Sequence, residues 1–201
     1  MNAEARKQFA IATEVKPLEI QVRILFRPQI DPADSGITLK GKIMDDKRYK
    51  KYYASGPHFR IENPNPVWQE KKGFVWDRSD CVIRAVANAL SVSWLRSFDY
   101  LTAKARAEYN VPNDSKGLRR WLVQDGATWE HYKAVKGKKR MTVMQFAETH
   151  PTGRYIISIT SHETAVVDGV ILDAYNCGEH AIVGVFDMAN FEFPAPQKII
   201  I

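Results

Sequence analysis

The chain has 201 residues, of which 45% are hydrophobic, 11% aromatic and 26% charged, which is the balance of a folded protein rather than a disordered one. No apolar run approaches the roughly 18–20 residues that cross a bilayer, so no membrane-spanning helix is expected. The net charge of +6 belongs mainly to residues 1–75, which carry 14 Lys and Arg against 9 Asp and Glu, whereas residues 76–201 carry 15 against 14. Residues 1–75 are therefore the first place where we expect an anionic partner to bind.

The N-terminus and the cysteines indicate the compartment. Residues 1–15 lack the apolar core and cleavage site of a secretory signal. Cys81 and Cys177 are too few for a disulfide scaffold and fit a reducing environment. We therefore expect a cytoplasmic protein with no membrane partner.

Residues 1–75 are predicted to form a basic, partly irregular N-terminal extension. Residues 20–26 alternate apolar and polar side chains, as a strand does, until Pro28 ends the pattern. Residues 47–53 interleave cations with tyrosines, a pattern that suits phosphates and stacked bases. The cations are Lys47, Arg48, Lys50 and Lys51. Two prolines in residues 63–66 disfavour a helix or central strand and indicate a boundary.

The next part of the chain has the apolar spacing of helices. Two of these helices have recognisable starts, because Ser79 or Asp80 is placed to cap the first, and Thr142 with Gln145 forms a capping-box pattern at the fourth. The predicted helices cover residues 80–90, about 93–105, 116–123 and 142–149.

The chain then changes to the period of strands. The predicted strands cover residues 154–160, 162–167, 170–175 and 181–186. The Asp-Gly pair at residues 168–169 suits the type I′ turn of a two-residue hairpin. If Val167 pairs with Val170, the alternation of side chains puts His162 and Asp173 on one face of the sheet. Helices followed by antiparallel strands predict an α+β domain.

Three residues in this pattern carry candidate chemistry. A histidine beside a carboxylate is half of a nucleophilic triad, and Cys81 is the candidate for the other half. The first turn of a helix favours a thiolate through its unsatisfied N–H groups and its dipole. The order Cys81, His162, Asp173, with the cysteine on a helix and the others on a sheet, is the layout of papain-like cysteine peptidases.

The motifs around these residues resemble those of a group of phage and bacterial papain-like proteins. The motifs are an Asp-Cys pair opening a helix at residues 80–87, a Gly-Arg-Tyr strand at 150–156, and a His-x-x-Ala-Val-x-Asp-Gly hairpin at 161–173. The resemblance covers about residues 79–187.

The resemblance implies a papain-like fold, with N-terminal helices packed on a C-terminal antiparallel sheet. It also implies a cysteine peptidase, or a related thiol acyl hydrolase, that cleaves a peptide or isopeptide bond of a protein substrate without a cofactor. Cys81 would be the nucleophile, His162 the general base and Asp173 the residue that orients it. The protein would then be phage-encoded and act in the cytoplasm of a bacterial host.

The oxyanion donor departs from the pattern of papain-like peptidases, which place a glutamine several residues before the cysteine. Here Gln69 lies twelve residues before Cys81, and no amide side chain lies between them. The expected donors are therefore the backbone N–H of Cys81 and the hydroxyl of Ser79.

The predicted domains are the extension over residues 1–75, a papain-like domain over 76–190 and a C-terminal tail over 191–201. One competing interpretation is a zinc site, in which Cys177 and His180 are completed by Cys81 and His162. Structural zinc sites normally use two paired knuckles, and only one pair exists here, so no metal is expected.

The second interpretation is a protein without catalytic activity. Residues 131–140 add cations on a predicted loop, including Lys138, Lys139 and Arg140. With the cations at residues 47–51, they would form a basic surface that binds an acidic host protein or nucleic acid. The alternative function is therefore a papain-like binding protein that engages a host macromolecule.

Overall fold

The helix-forming and strand-forming patterns give a mixed α+β structure in a computed structural model that describes residues 52–66 and 80–194. The helices are α1 (Cys81–Leu90), α2 (Trp94–Ala107), α3 (Ser115–Gln124) and α4 (Val143–Thr149). The strands are β1 (Phe59–Ile61), β2 (Thr128–His131), β3 (Arg154–Ile159), β4 (His162–Val167), β5 (Val170–Asp173) and β6 (Gly184–Asp187). The predicted strand at residues 20–26, the cations at 47–51 and Ser79 lie outside the described residues.

The six strands form one sheet in the order β1-β5-β4-β3-β6-β2. Only the β1–β5 pair is parallel, and the other neighbours are antiparallel. Successive residues of β4 point to opposite sides: Ala165 belongs to the apolar cluster with α1, α2 and α3, and Val166 to the cluster with α4. Both faces of the sheet are therefore covered, which explains why its strands are apolar on both faces.

The hairpin between β4 and β5 has the predicted register. Val167 pairs with Val170, and both residues of the turn have positive φ, with Asp168 at 49° and Gly169 at 75°. Positive φ at both central residues is what a type I′ turn requires. A second tight hairpin joins β3 to β4, where Ile159 pairs with His162 and Ser161 has a φ of 59°. His162 is thus the first residue of β4.

Two strands lie where none was predicted. β1 comes from the predicted extension, and its Phe59 is buried with 1% exposure, so residues 59–61 are part of the same sheet as β5. β2 precedes the basic loop, and its Trp129 packs against Phe186 with ring centroids 4.4 Å apart. β1 has only three residues, and three of the four residues of β2 are exposed, so neither strand shows a clear alternation of buried and exposed side chains.

The ends of the predicted elements differ by a few residues. Asp80 precedes α1, but its side chain makes no cap hydrogen bond, because it is engaged in the contacts described below. The predicted strand at 181–186 begins only at Gly184, since Ala181 makes an isolated bridge to Thr142. The capping box of Thr142 and Gln145 is confirmed. In residues 52–66 and 80–194, none of the helices combines the length and apolar character needed to cross a bilayer.

Candidate active site

Cys81 is the first residue of α1, and its thiol lies against the first residues of β4. Interactions with the side chain of His162 and with the backbone of Glu163 lower the pKa of the thiol. The side chain is partly buried rather than enclosed. The helix start thus brings the thiol to the end of the sheet where His162 begins its strand.

The hairpin geometry explains why the Glu163 N–H is available to sulfur. In an antiparallel strand, successive residues direct their backbone groups to opposite neighbours. His162 closes the β3–β4 hairpin, so the backbone groups of Glu163 point toward the β5 side. The β4–β5 pairing covers only Ala165–Val167, so the N–H of Glu163 lies beyond that pairing and meets the Cys81 sulfur instead.

His162 and Asp173 meet on the face that the register predicts. The Nε2 atom of His162 lies 2.6 Å from the Oδ2 atom of Asp173, so Nε2–H donates to the carboxylate and Nδ1 is the nitrogen left for Cys81. The ring of Tyr175 packs on the imidazole at 5.1 Å between centroids. The three predicted triad residues are therefore brought together, with the imidazole between the thiol and the carboxylate.

Electrostatic interactions among Cys81, His162 and Asp173 shift the pKa of each group toward its charged form. Burial disfavours a charged imidazole, but the Asp173 carboxylate outweighs it and raises the pKa of His162 to about 10. Burial alone would raise the pKa of the Cys81 thiol, yet the hydrogen bonds from His162 and the Glu163 N–H lower it below its ordinary value. Burial likewise opposes ionisation of Asp173, but His162 and Arg84 hold the pKa of that carboxyl low. These directions favour a thiolate–imidazolium pair beside a carboxylate.

A buried ion network fixes the start of α1 beside β5. Arg84 lies 2.8 Å from Asp80 and 3.9 Å from Asp173, and all three side chains are at most 7% exposed. The other oxygen of Asp80 accepts from Asn65 at 2.8 Å and from Trp94 at 3.0 Å. Arg84 therefore joins the carboxylate that precedes Cys81 to the carboxylate that holds His162.

The second cysteine lies beside the triad without being equivalent to Cys81. Cys177 is fully buried, its sulfur is 3.8 Å from Asp173, and burial raises the pKa of its thiol well above the ordinary value. Ligand atoms of His162, Asp173 and Cys177 lie within 4.8 Å of one another. His180 is exposed and outside this group, so the four-residue zinc set considered from the sequence does not assemble.

Glu163 is a buried carboxyl directly after His162 in β4. It is 4% exposed and accepts a hydrogen bond of 2.6 Å from the Ser158 hydroxyl of β3. Burial raises the pKa of Glu163 to about 7, although the hydrogen bonds from Ser158 and Ser115 act in the opposite direction. The folded protein thus holds a proton on this carboxyl at pH values where an exposed glutamate has lost it.

Glu163→Gln is expected to flatten the dependence of stability on pH. Between the ordinary glutamate pKa of 4.5 and the folded value of about 7, the folded state binds more protons than the unfolded state. The free energy of unfolding should therefore fall as pH rises through this window, by on the order of 3 kcal/mol. Glutamine cannot ionise, so the variant should gain that amount relative to wild type between pH 5 and pH 8 in urea unfolding. Exposed Glu148→Gln is the control, and equal pH slopes for all three proteins would contradict the assignment.

The basic residues predicted to bind an anionic partner are placed only in part. Lys138 and Lys139 are exposed and Arg140 is half-buried, in the segment between β2 and α4. None of these three makes an ion pair with a residue that the structure describes. They remain a candidate basic surface.

Three residues around Cys81 were not singled out from the sequence. Arg84 could have been noticed from its spacing of four residues from Asp80, which is the spacing of a helical ion pair. Glu163 could have been noticed as a charged residue within an apolar strand. Asn113, whose Oδ1 accepts from the Val82 N–H at 3.0 Å, lies in a loop where no pattern marks it.

We compared the chain with protein-family models, with curated proteins and with solved structures, and no match was found in any of the three.

Proposed function

We propose that this chain is a papain-like thiol hydrolase: a cysteine peptidase or related acyl hydrolase that cleaves a peptide or isopeptide bond. The observation that carries the proposal is the continuous contact from Cys81 through His162 to Asp173, in which the imidazole joins a thiol of lowered pKa to a buried carboxylate. A cysteine at a helix start with an oriented histidine is the arrangement that nucleophilic catalysis requires. The papain-like fold and the origin in a phage rest on the sequence resemblance.

The proposed reaction has two steps, and His162 transfers the proton in both. The Cys81 thiolate attacks the carbonyl carbon, a C–S bond forms, and the carbonyl π pair moves to oxygen. When this intermediate collapses, the C–N bond breaks and the leaving amine takes the proton from Nδ1 of His162, which leaves a thioester on Cys81. A water molecule then attacks the thioester and gives a proton to His162. The C–S bond breaks, which releases the carboxylic acid and restores Cys81.

Asp173 and Arg84 would act through the other groups. Asp173 keeps Nε2 protonated and so presents Nδ1 to sulfur and substrate. Together with His162, Arg84 holds the pKa of the Asp173 carboxyl below its usual value. The partial exposure of Cys81 also favours an enzyme over a pure binding protein, because a binding protein has no need for an accessible thiol.

The acyl intermediate provides the test of this proposal. With p-nitrophenyl acetate as an unspecific acyl donor, the wild-type protein should release one p-nitrophenol per chain in a burst and carry one acetyl group, located on Cys81 by peptide mass mapping. Cys177→Ser is the matched control and should keep the burst, because that thiol is fully buried and protonated. Cys81→Ser should lose it. Absence of a burst from a folded wild-type protein, or acetylation shared equally with Cys177, would count against the function.

A further inference from the structure

We propose that Asn113 is the side-chain oxyanion donor of this site, its Nδ2 amide acting together with the backbone N–H of Cys81. The inference rests on the proposed function, since an oxyanion forms only if Cys81 attacks a carbonyl. It replaces Ser79, the hydroxyl that the sequence alone suggested for this role.

The reaction needs a second donor beside Cys81. As the C–S bond forms, the carbonyl oxygen becomes negative next to the first backbone N–H of α1, and such sites gain most of their effect from donors fixed in advance. The next N–H along the helix, that of Val82, is already used, because it donates to Oδ1 of Asn113 at 3.0 Å. The Val82 N–H is therefore not available as the second donor beside the Cys81 N–H.

The same hydrogen bond orients the Asn113 amide. An N–H donor can bond only to the oxygen end of a carboxamide, so the contact with Val82 settles which end is Oδ1. Nδ2 is the other end of this half-buried group, and it makes no hydrogen bond with any residue in 52–66 or 80–194. The two N–H groups of Nδ2 thus belong to a side chain that is bonded to the residue after Cys81, and they remain available to an acceptor.

The loop that carries Asn113 is held on both sides. Asp114 accepts from the Gly117 N–H at 2.7 Å and from Asn110 Nδ2 at 2.7 Å, which fixes the loop to the start of α3. Ser115 and the Cys81 thiol both interact with Glu163 of β4, since Ser115 lowers the pKa of its carboxyl and its backbone lowers the pKa of the thiol. The amide is therefore positioned by the same elements that position the thiol, as a preorganised donor must be.

Two reactions of the same thiol separate this role from a structural one. Acylation by p-nitrophenyl acetate passes through an oxyanion, whereas alkylation by iodoacetamide displaces iodide from a saturated carbon and forms none. Asn113→Ala should slow acylation by about 10²–10³-fold. Its alkylation rate, measured at a pH where the thiol is fully ionised, should match wild type.

A second variant and a control complete the test. Asn113→Asp keeps an oxygen for the Val82 N–H but has no N–H to donate, so it should lose acylation as Asn113→Ala does, with alkylation at high pH preserved. Asn190→Ala, which changes an exposed asparagine outside this loop, should acylate normally. Normal acylation by both Asn113 variants, or an equal loss of acylation and alkylation, would overturn the inference. A wild-type protein that is alkylated at Cys81 but never acylated would overturn the proposed function and this role with it.

Discussion

His162→Ala is expected to slow the acylation of Cys81 by about 10²–10⁴-fold, because general acid–base catalysis by a positioned histidine contributes this much. The variant loses the hydrogen bond and the positive charge that lower the pKa of the Cys81 thiol, and it loses the proton donor for the leaving group. The burst of p-nitrophenol measured by stopped flow at pH 7 gives the rate.

His180→Ala is the matched control for this effect. His180 is exposed and does not belong to the group around Asp173, so its removal should leave the burst rate unchanged. A folded His162→Ala protein that acylates at the rate of the control would show that the imidazole has no part in the chemistry.

Arg84→Met is expected to lower the free energy of unfolding by about 3–5 kcal/mol, because removing one partner leaves the other charges buried and uncompensated. Arg84 is 7% exposed and faces two carboxylates, those of Asp80 and Asp173, which are 5% and 3% exposed. Methionine keeps most of the side-chain volume, so the loss reports the charge rather than a cavity. Urea unfolding at pH 7 measures it.

Two further variants define the cause of that loss. Arg106→Met changes an exposed arginine of α2 and should cost no more than about 0.5 kcal/mol. Adding Asp80→Asn to Arg84→Met removes one of the two stranded carboxylates, so the double variant should be more stable than Arg84→Met alone. A loss for Arg84→Met no larger than that of the exposed control would contradict the buried network.

The parts of the site that follow a local rule could be predicted from the sequence. An Asp-Gly turn with one register and a side-chain period of two places Asp173 near His162, because a slip of one residue would send them to opposite faces. The run of helix formers after Asp80 places Cys81 in a first turn. Both rules act over a few residues, so they can be applied from the sequence alone.

The remaining parts depend on contacts between distant segments. Phe59–Ile61 pairs with a strand more than a hundred residues later along the chain, and it is too short to show its own pattern. Asn113 meets Val82 through a loop, where backbone geometry follows no period. An arginine in a helix is usually exposed. Only the packing of α1 on the sheet shows that Arg84 is buried between two carboxylates.

The rate at which iodoacetamide alkylates Cys81, measured as a function of pH, shows whether His162 stabilises the thiolate of Cys81. The measurement uses the Cys177→Ser protein, so that only Cys81 can react. We expect a midpoint below the ordinary value for a cysteine thiol, and an upward shift of the midpoint when His162→Ala is added, because the imidazole then no longer offsets the effect of burial. A midpoint at or above the ordinary value that does not move with His162→Ala would show that His162 does not stabilise a thiolate at Cys81.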